Sequence, residues 1–257
     1  MKELVPLLNE AAKAYYQEDR EIMSNYDYDR LYDELAELEK ETGVTLSGSP
    51  TTRVGYELLS ELPKEAHQSP MLSLDKTKEP AALAEWLGDQ EGLLSWKMDG
   101  LTIVLTYEEG RLFKAVTRGN GEVGEVITNN ARVFANIPLK IGYQGRLVLR
   151  GEAVIHYSTF NRINEEIADV DARYKNPRNL CSGSVRQLNN EITAKRDVRF
   201  YAFTLVDAEG VDFENSREKQ MKWLQSQGFE TVFWRRVSRE TVTEAVEAFS
   251  REIGEQD

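Results

Sequence analysis

The chain has 257 residues, 40% of them apolar and 30% charged, with a formal net charge of −12 and one cysteine, Cys181. That length holds one large domain, or a large domain with a small companion. A lone cysteine excludes an internal disulfide and a multi-cysteine zinc site. No apolar run reaches membrane-spanning length, and the N-terminal residues lack the apolar core of a signal peptide, so a cytoplasmic protein without membrane contact is expected.

The charge is unevenly spread. Residues 1–70 carry 7 Lys+Arg against 15 Asp+Glu, a net of −8, whereas residues 97–200 carry 16 against 12, a net of +4. The middle of the chain is thus suited to a polyanion or a dinucleotide, and the N-terminal part is not suited to a broad contact with a DNA backbone.

Leu4, Leu7, Leu8, Ala11, Ala14 and Tyr15 fall at helical spacing and predict an amphipathic helix over residues 3–18. Ser24 and Asp27 begin a second helix through Tyr28, Leu31, Tyr32, Leu35 and Leu38, which Gly43 closes. The loop of this hairpin gathers Tyr15, Tyr16, Asn25, Tyr26, Tyr28 and Asp29, a set equally consistent with wet packing tyrosines. Residues 47–69 predict an irregular connector, rich in turn residues at Ser47-Gly48-Ser49-Pro50. Pro70 to Leu74 predicts a short strand and Ala81 to Leu87 a short helix, with a domain boundary near residue 70.

Leu93 and Leu94 lead into Ser95-Trp96-Lys97-Met98-Asp99-Gly100, and the apolar run Leu101–Tyr107 leaves it. This order sets Lys97 at the mouth of a sheet and predicts partial desolvation, which favours the free amine that attacks phosphorus or a carbonyl. Taken alone, a Lys-x-Asp-Gly tetrapeptide also fits an exposed turn with a solvated lysine. Glu108 to Arg111 predicts a hairpin turn before the strand Leu112–Thr117. A tight turn at Asn120-Gly121 follows, then a helix from about Val123 to Ala135. Leu147–Ile155 predicts a strand with Arg150 and Glu152 on one face. Helix is predicted over Asn161–Val170, Ser216–Gln225 and Val242–Ile253, and strand over Phe200–Val206 and Thr231–Trp234. Tyr174 to Leu188 is polar, then briefly helical, and carries Lys175, Arg178 and Arg186. His67, His156, Cys181, Trp86 and Trp96 are expected to be structural. Hairpins mixed with helices predict an α+β fold with mainly antiparallel sheets.

Lys97, Asp99, Arg118, Glu152, Arg178 and Arg186 together suit a phosphoanhydride substrate. Guanidinium forks bind phosphate oxygens, and carboxylates hold a metal ion or a ribose hydroxyl. The ordered set Tyr28-Asp29-Arg30-Leu31-Tyr32, Ser49-Pro50-Thr51, Arg53-Val54-Gly55, Pro70-Met71-Leu72-Ser73-Leu74 and Lys97-Met98-Asp99-Gly100-Leu101 continues with Thr117-Arg118-Gly119, Arg150-Gly151-Glu152, Asn176-Pro177-Arg178-Asn179 and Gly183 to Leu188. In order and spacing it resembles the bacterial NAD+-dependent DNA ligases, from about Tyr15 onward.

That resemblance implies a small helical-hairpin subdomain with its connector at 1–69. A nucleotidyltransferase (ATP-grasp-like) adenylation domain follows at 70–257, without the family's later Asp-Gly-Val-Val-Ile-Lys strand and lysine. It implies that Lys97 attacks NAD+, releasing nicotinamide mononucleotide and passing AMP to the 5′-phosphate of nicked double-stranded DNA, with Mg2+ assisting. Tyr15, Tyr16, Asn25, Tyr28 and Asp29 would hold the nicotinamide mononucleotide half. Ser73, Leu74, Ser95, Asp99, Arg118, Glu152 and Phe203 would line the rest of the dinucleotide site, with Arg178 and Arg186 facing phosphates or DNA. A monomer is expected, slow or silent in self-adenylation and unable to seal nicks.

Six positions depart from the family's pattern: Ser95 stands for a glutamate, Asn25 and Asn120 for aspartates, and Leu180-Cys181-Ser182 for small alanines. Each predicts weaker NAD+ binding, by ~1–3 kcal/mol for a lost charge-assisted hydrogen bond. An ATP- or GTP-using nucleotidyltransferase and a non-catalytic NAD- or nick-binding remnant are the competing readings.

Overall fold

The computed structural model describes residues 1–17, 22–46, 49–51 and 62–253, without the side chains of residues 13, 15–17 and 25. The predicted connector residues 52–61, with the Arg53-Val54-Gly55 motif, and the last residues 254–257 lie outside the described residues.

Two helices, α1 (Leu4–Gln17) and α2 (Asn25–Thr42), form the N-terminal hairpin. Ser24 caps α2, its hydroxyl accepting the Asp27 N–H at 3.1 Å, and Gly43 ends it at φ 64°. Both signals were legible in the sequence because each satisfies backbone groups that a helix end leaves unpaired. Val5, Leu8 and Leu35 are buried between the helices, with Tyr28, Leu31 and Tyr32 packed against them. The pair has its own small core, and α1 also touches α6 (Pro177–Val185).

The centre of the molecule is a four-stranded antiparallel sheet in the order β4 (Arg111–Thr117), β3 (Leu101–Glu108), β6 (Leu147–Val154), β7 (Arg199–Ala208). Glu109 and Gly110, at φ 50° and 72°, make the β3–β4 turn, the geometry that matches strand twist in tight hairpins. Alternation is clean: Ile103, Leu105 and Tyr107 of β3 and Leu147 and Leu149 of β6 are fully buried. Thr102, Val104, Arg150 and Glu152 lie on the opposite, half-buried face. The helices α5 (Tyr157–Glu166), α6 and, after the short α7 (Asn190–Ala194), α8 (Arg217–Ser226) contribute Ile163, Leu180, Met221 and Leu224 to the same core.

A second, two-stranded sheet pairs β2 (Gly92–Ser95) with β8 (Trp234–Val237). It packs on α3 (Pro80–Leu87) and α9 (Val242–Glu252) through Leu87, Val237, Val242 and Ala245. The third pairing joins β1 (Lys64–Ala66) to β5 (Val123–Glu125), so the end of the connector is stitched to the turn after Arg118. Among the described residues no helix is long and apolar enough to cross a membrane.

Three predicted elements differ. Pro70 to Leu74 has no regular secondary structure; Met71 alone is buried, its N–H bonded to Gly121 O at 2.8 Å. The predicted helix over 123–135 divides into β5 and the short α4 (Thr128–Ala131), because β1 supplies a strand partner that no local pattern announces. The last strand begins at Trp234 rather than Thr231, which makes an isolated bridge to Ala202.

Glu125, at 1% exposure, receives Arg186 through two nitrogens, Nε to Oε2 at 2.7 Å and Nη2 to Oε1 at 3.1 Å. The pair fastens the C-terminal end of α6 to β5. Removing one partner of a buried pair strands the other charge and costs about 3–5 kcal/mol. Arg186→Ala is therefore expected to lower stability by about that amount in urea unfolding, with Arg186→Lys intermediate because a lysine cannot form the two-pronged contact.

Candidate active site

The loop of residues 96–100 crosses from the small sheet to the central one, and both of its ends are fixed. At the start, the Trp96 N–H donates to Phe233 O at 3.1 Å, and the indole packs on Phe233 and Phe249 with centroids 5.5 and 6.3 Å away. At the end, the Gly100 N–H donates to Glu152 Oε1 at 3.1 Å, while Gly100 O accepts Arg178 Nε at 3.0 Å. Gly100 must be glycine: a Cβ there would stand 1.9 Å from Ala153 O. Lys97 sits between these anchors.

Glu152 is the hub. Its second oxygen accepts the Thr102 hydroxyl at 2.7 Å. Burial pushes the Glu152 carboxyl above its ordinary value, opposed by the Thr102 and Gly100 hydrogen bonds and by the charges of Lys97 and Arg178. Lys97 thus lies within electrostatic reach of Glu152, and Arg178 Nε lies 3.6 Å from Asp99 Oδ1. One correction concerns the lysine itself. Lys97 is exposed rather than partly desolvated, because strand pairing stops at Ser95↔Trp234 and no described element covers the next residues.

Arg118 follows β4, and its N–H donates to Thr102 O at 2.9 Å, on the same side of the sheet as Glu152. His67 holds the Arg118 carbonyl at 3.0 Å. Gly119, at φ 58°, turns the chain where a Cβ would meet Val123 O at 2.0 Å. Asn120 Oδ1 then accepts the N–H groups of Glu122 and Val123 at 3.0 and 2.8 Å. An aspartate would accept the same bonds, so the departure at Asn120 preserves the turn. Leu180, Cys181 and Ser182 are buried on α6, with the Cys181 thiol donating to Ala153 O at 3.1 Å. They pack the helix that carries Arg178.

Phe203 is the extra residue of a β-bulge in β7, since Gly151 pairs with Ala202 and Arg150 with Thr204. Bulges re-aim side chains, and Phe203 is turned outward at 37% exposure. It and Ser95 line one cavity of ≈ 580 Å³ together with Leu94, Leu205 and Trp234. Trp86, expected in a core, is 81% exposed at the rim of this cavity, whereas Trp96 is half-buried.

On the hairpin, the rings of Tyr28 and Tyr32 stack with centroids 6.3 Å apart. Asp29 lies one residue on, and Lys76 approaches it from the 70–79 segment, with Nζ 3.8 Å from Asp29 Oδ1. Tyr15, Tyr16 and Asn25 are placed by backbone on the ends of α1 and α2 that face this loop; their side chains lie outside the described atoms. Ser73 and Leu74 are exposed, and nothing described covers them. Lys97, Asp99, Glu152, Arg178 and Arg118 are therefore brought together around one sheet end, and Tyr28 and Asp29 around the hairpin loop. Arg186 pairs with Glu125. Sequence reasoning missed Glu125 and Lys76, the first hidden in a stretch predicted helical, the second signalled only by its place after Ser73-Leu74.

Residues 59–256 match the family described as NAD-dependent DNA ligase adenylation domain, and residues 1–55 match DNA ligase-like, N-terminal NAD+-binding domain. A DNA ligase of Ruminiclostridium cellulolyticum is 63% identical over 257 residues, 100% of this chain and 39% of that protein. A DNA ligase of Lachnoclostridium phytofermentans is 63% identical over 251 residues, 98% of this chain and 38% of that protein. One of Clostridioides difficile is 36% identical over 239 residues, 89% of this chain and 35% of that protein. The chain spans about two fifths of the length of the first two curated relatives. With two family matches in sequence order over this scaffold, the chain belongs to the NAD-dependent DNA ligases and carries their NAD+-binding and adenylation domains.

Proposed function

We propose that this chain takes up NAD+ and transfers its AMP half to Lys97. The neutral amine of Lys97 attacks the phosphorus on the adenosine side, a P–N bond forms, and the bond to the bridging oxygen breaks. Nicotinamide mononucleotide leaves with that oxygen, and the amine's proton passes to solvent. The observation that carries this reading is the clamp on Gly100, where Glu152 and Arg178 hold one end of the lysine loop while Lys97 stays open to a ligand. Arg178, which donates to Gly100 O, and Arg118, whose backbone bonds Thr102 beside Glu152, suit the phosphate oxygens on which charge develops. Ser95 and Phe203, at the neighbouring cavity, suit the adenine, and Tyr28 and Asp29 suit the cationic nicotinamide ring.

Among the described residues no group of three or more His, Cys, Asp or Glu side chains gathers as a metal cage. Mg2+ is commonly held by one or two carboxylates plus substrate phosphates. Asp99, 68% exposed beside Lys97, fits that manner of binding. The ion would neutralise phosphate charge. In a full-length context the acceptor of the AMP is the 5′-phosphate of nicked duplex DNA, with the protein acting as a cytoplasmic monomer.

Intact mass measurement after prolonged incubation with NAD+ and Mg2+ is expected to show one slowly forming AMP adduct, mapped by peptide analysis to Lys97 and absent from Lys97→Ala. An unmodified wild-type chain that still binds NAD+ would support a non-catalytic binding module instead, and an adduct from ATP but not NAD+ would reassign the donor. A pH dependence follows from Glu152, whose carboxyl is raised above its ordinary 4.5 mainly by burial. The folded state holds that proton more tightly than the unfolded chain, so this group withdraws stability as pH rises from 4.5 through the raised value. Glu152→Gln keeps an acceptor for Gly100, and its melting temperature is expected to gain on the wild type as pH rises above 4.5.

A further inference from the structure

The 70–79 segment is exposed except at buried Met71, yet one of its side chains is engaged. Lys76 Nζ lies 3.4 Å from Asp33 Oδ1, 3.8 Å from Asp29 Oδ1 and 5.2 Å from the centroid of the Tyr32 ring. Asp29 and Asp33 are one helical turn apart on α2, as are Tyr28 and Tyr32, whose rings stack. The helix therefore presents a row of carboxylates beside a row of aromatic faces, and an ammonium lies against both. Ring faces with adjoining carboxylates are the chemistry that recognises an organic cation. A nicotinamide ring in its oxidised form is such a cation, and the hairpin that bears these rows matches an NAD+-binding domain.

We propose that Lys76 is a specificity-determining residue that occupies the cation position on α2 in the ligand-free protein, so that the nicotinamide ring of NAD+ must displace it. This inference rests on the NAD+-binding reading given above. The exchange replaces one positive charge by another, which leaves the charge facing the two carboxylates unchanged. Neutral rings lack the compensating charge and are disfavoured as displacers. The latch is suited to reversal, because Lys76, Asp29 and Asp33 are 56%, 62% and 46% exposed, and exposed pairs hold only weakly. It also ties the segment after Ser73-Leu74 to the hairpin, so release of Lys76 frees that segment from α2 when the ligand enters.

The test is calorimetric titration of the whole chain with nicotinamide mononucleotide, with NAD+ and with AMP, for the wild type, Lys76→Met and Lys76→Arg. Lys76→Met keeps the length of the stem and removes the competing charge. It is expected to bind nicotinamide mononucleotide and NAD+ about three- to tenfold more tightly, the range for one exposed ion pair plus a cation–aromatic contact. AMP affinity should be unchanged, and Lys76→Arg should resemble the wild type. If Lys76→Met binds the mononucleotide equally or more weakly, Lys76 is no competitor, and the NAD+ reading stands without it. If no form binds NAD+ or the mononucleotide, both readings fall.

Discussion

The arrangement depends on one carboxylate with both oxygens engaged. Glu152 takes the Gly100 N–H on one side and the Thr102 hydroxyl on the other, so the lysine loop enters β3 at a fixed point. Arg178 completes the hold by donating to the carbonyl of the same glycine. Because a side chain cannot fit at Gly100, the backbone of the loop rests directly on β6. A lysine carried on such a loop is exposed but not wandering, a combination that suits the proposed attack on a bound phosphorus.

The two sheets divide the labour around that loop. The central sheet supplies Glu152, Thr102 and the Arg118 turn, while the small β2–β8 sheet, packed on α3 and α9, anchors Trp96. The two-pronged contact of Arg186 with buried Glu125 ties the C-terminal end of α6, the helix that also carries Arg178, to β5. The departures from the family pattern also separate by place. Asn120 keeps its turn, residues 180–182 are packing, and Ser95 opens on the cavity beside Phe203.

Much of this was legible from local signals. The caps Ser24, Asn176 and Ser216 are polar side chains just before helices, and each accepts an N–H three residues on. The strand Leu101–Glu108 was readable because one face is buried and alternation follows. Partnerships between distant segments were not. Val123–Glu125 became a strand because Lys64–Ala66 lies beside it, and Lys97 stayed exposed because its sheet ends two residues earlier. Lys76 and Glu125 belong to the same class: their partners, Asp33 and Arg186, are set by the fold, not by spacing. The ordered motifs pointed to the family where composition alone reached no further than a nucleotide-handling α+β enzyme.

The bulges of β7 have a consequence for how this strand can change. Its core residues Phe200, Ala202, Leu205 and Ala208 are spaced two, three and three apart, and the additional residues at 203 and 206 absorb the difference. Deleting position 203 would leave Thr204 facing out and Leu205 facing in, with strict alternation from Phe200 to Leu205. The hydrophobic interior therefore has no use for the Phe203 ring. The sheet carries that aromatic as a spare link in the chain, and only what lies outside the core can give it a purpose.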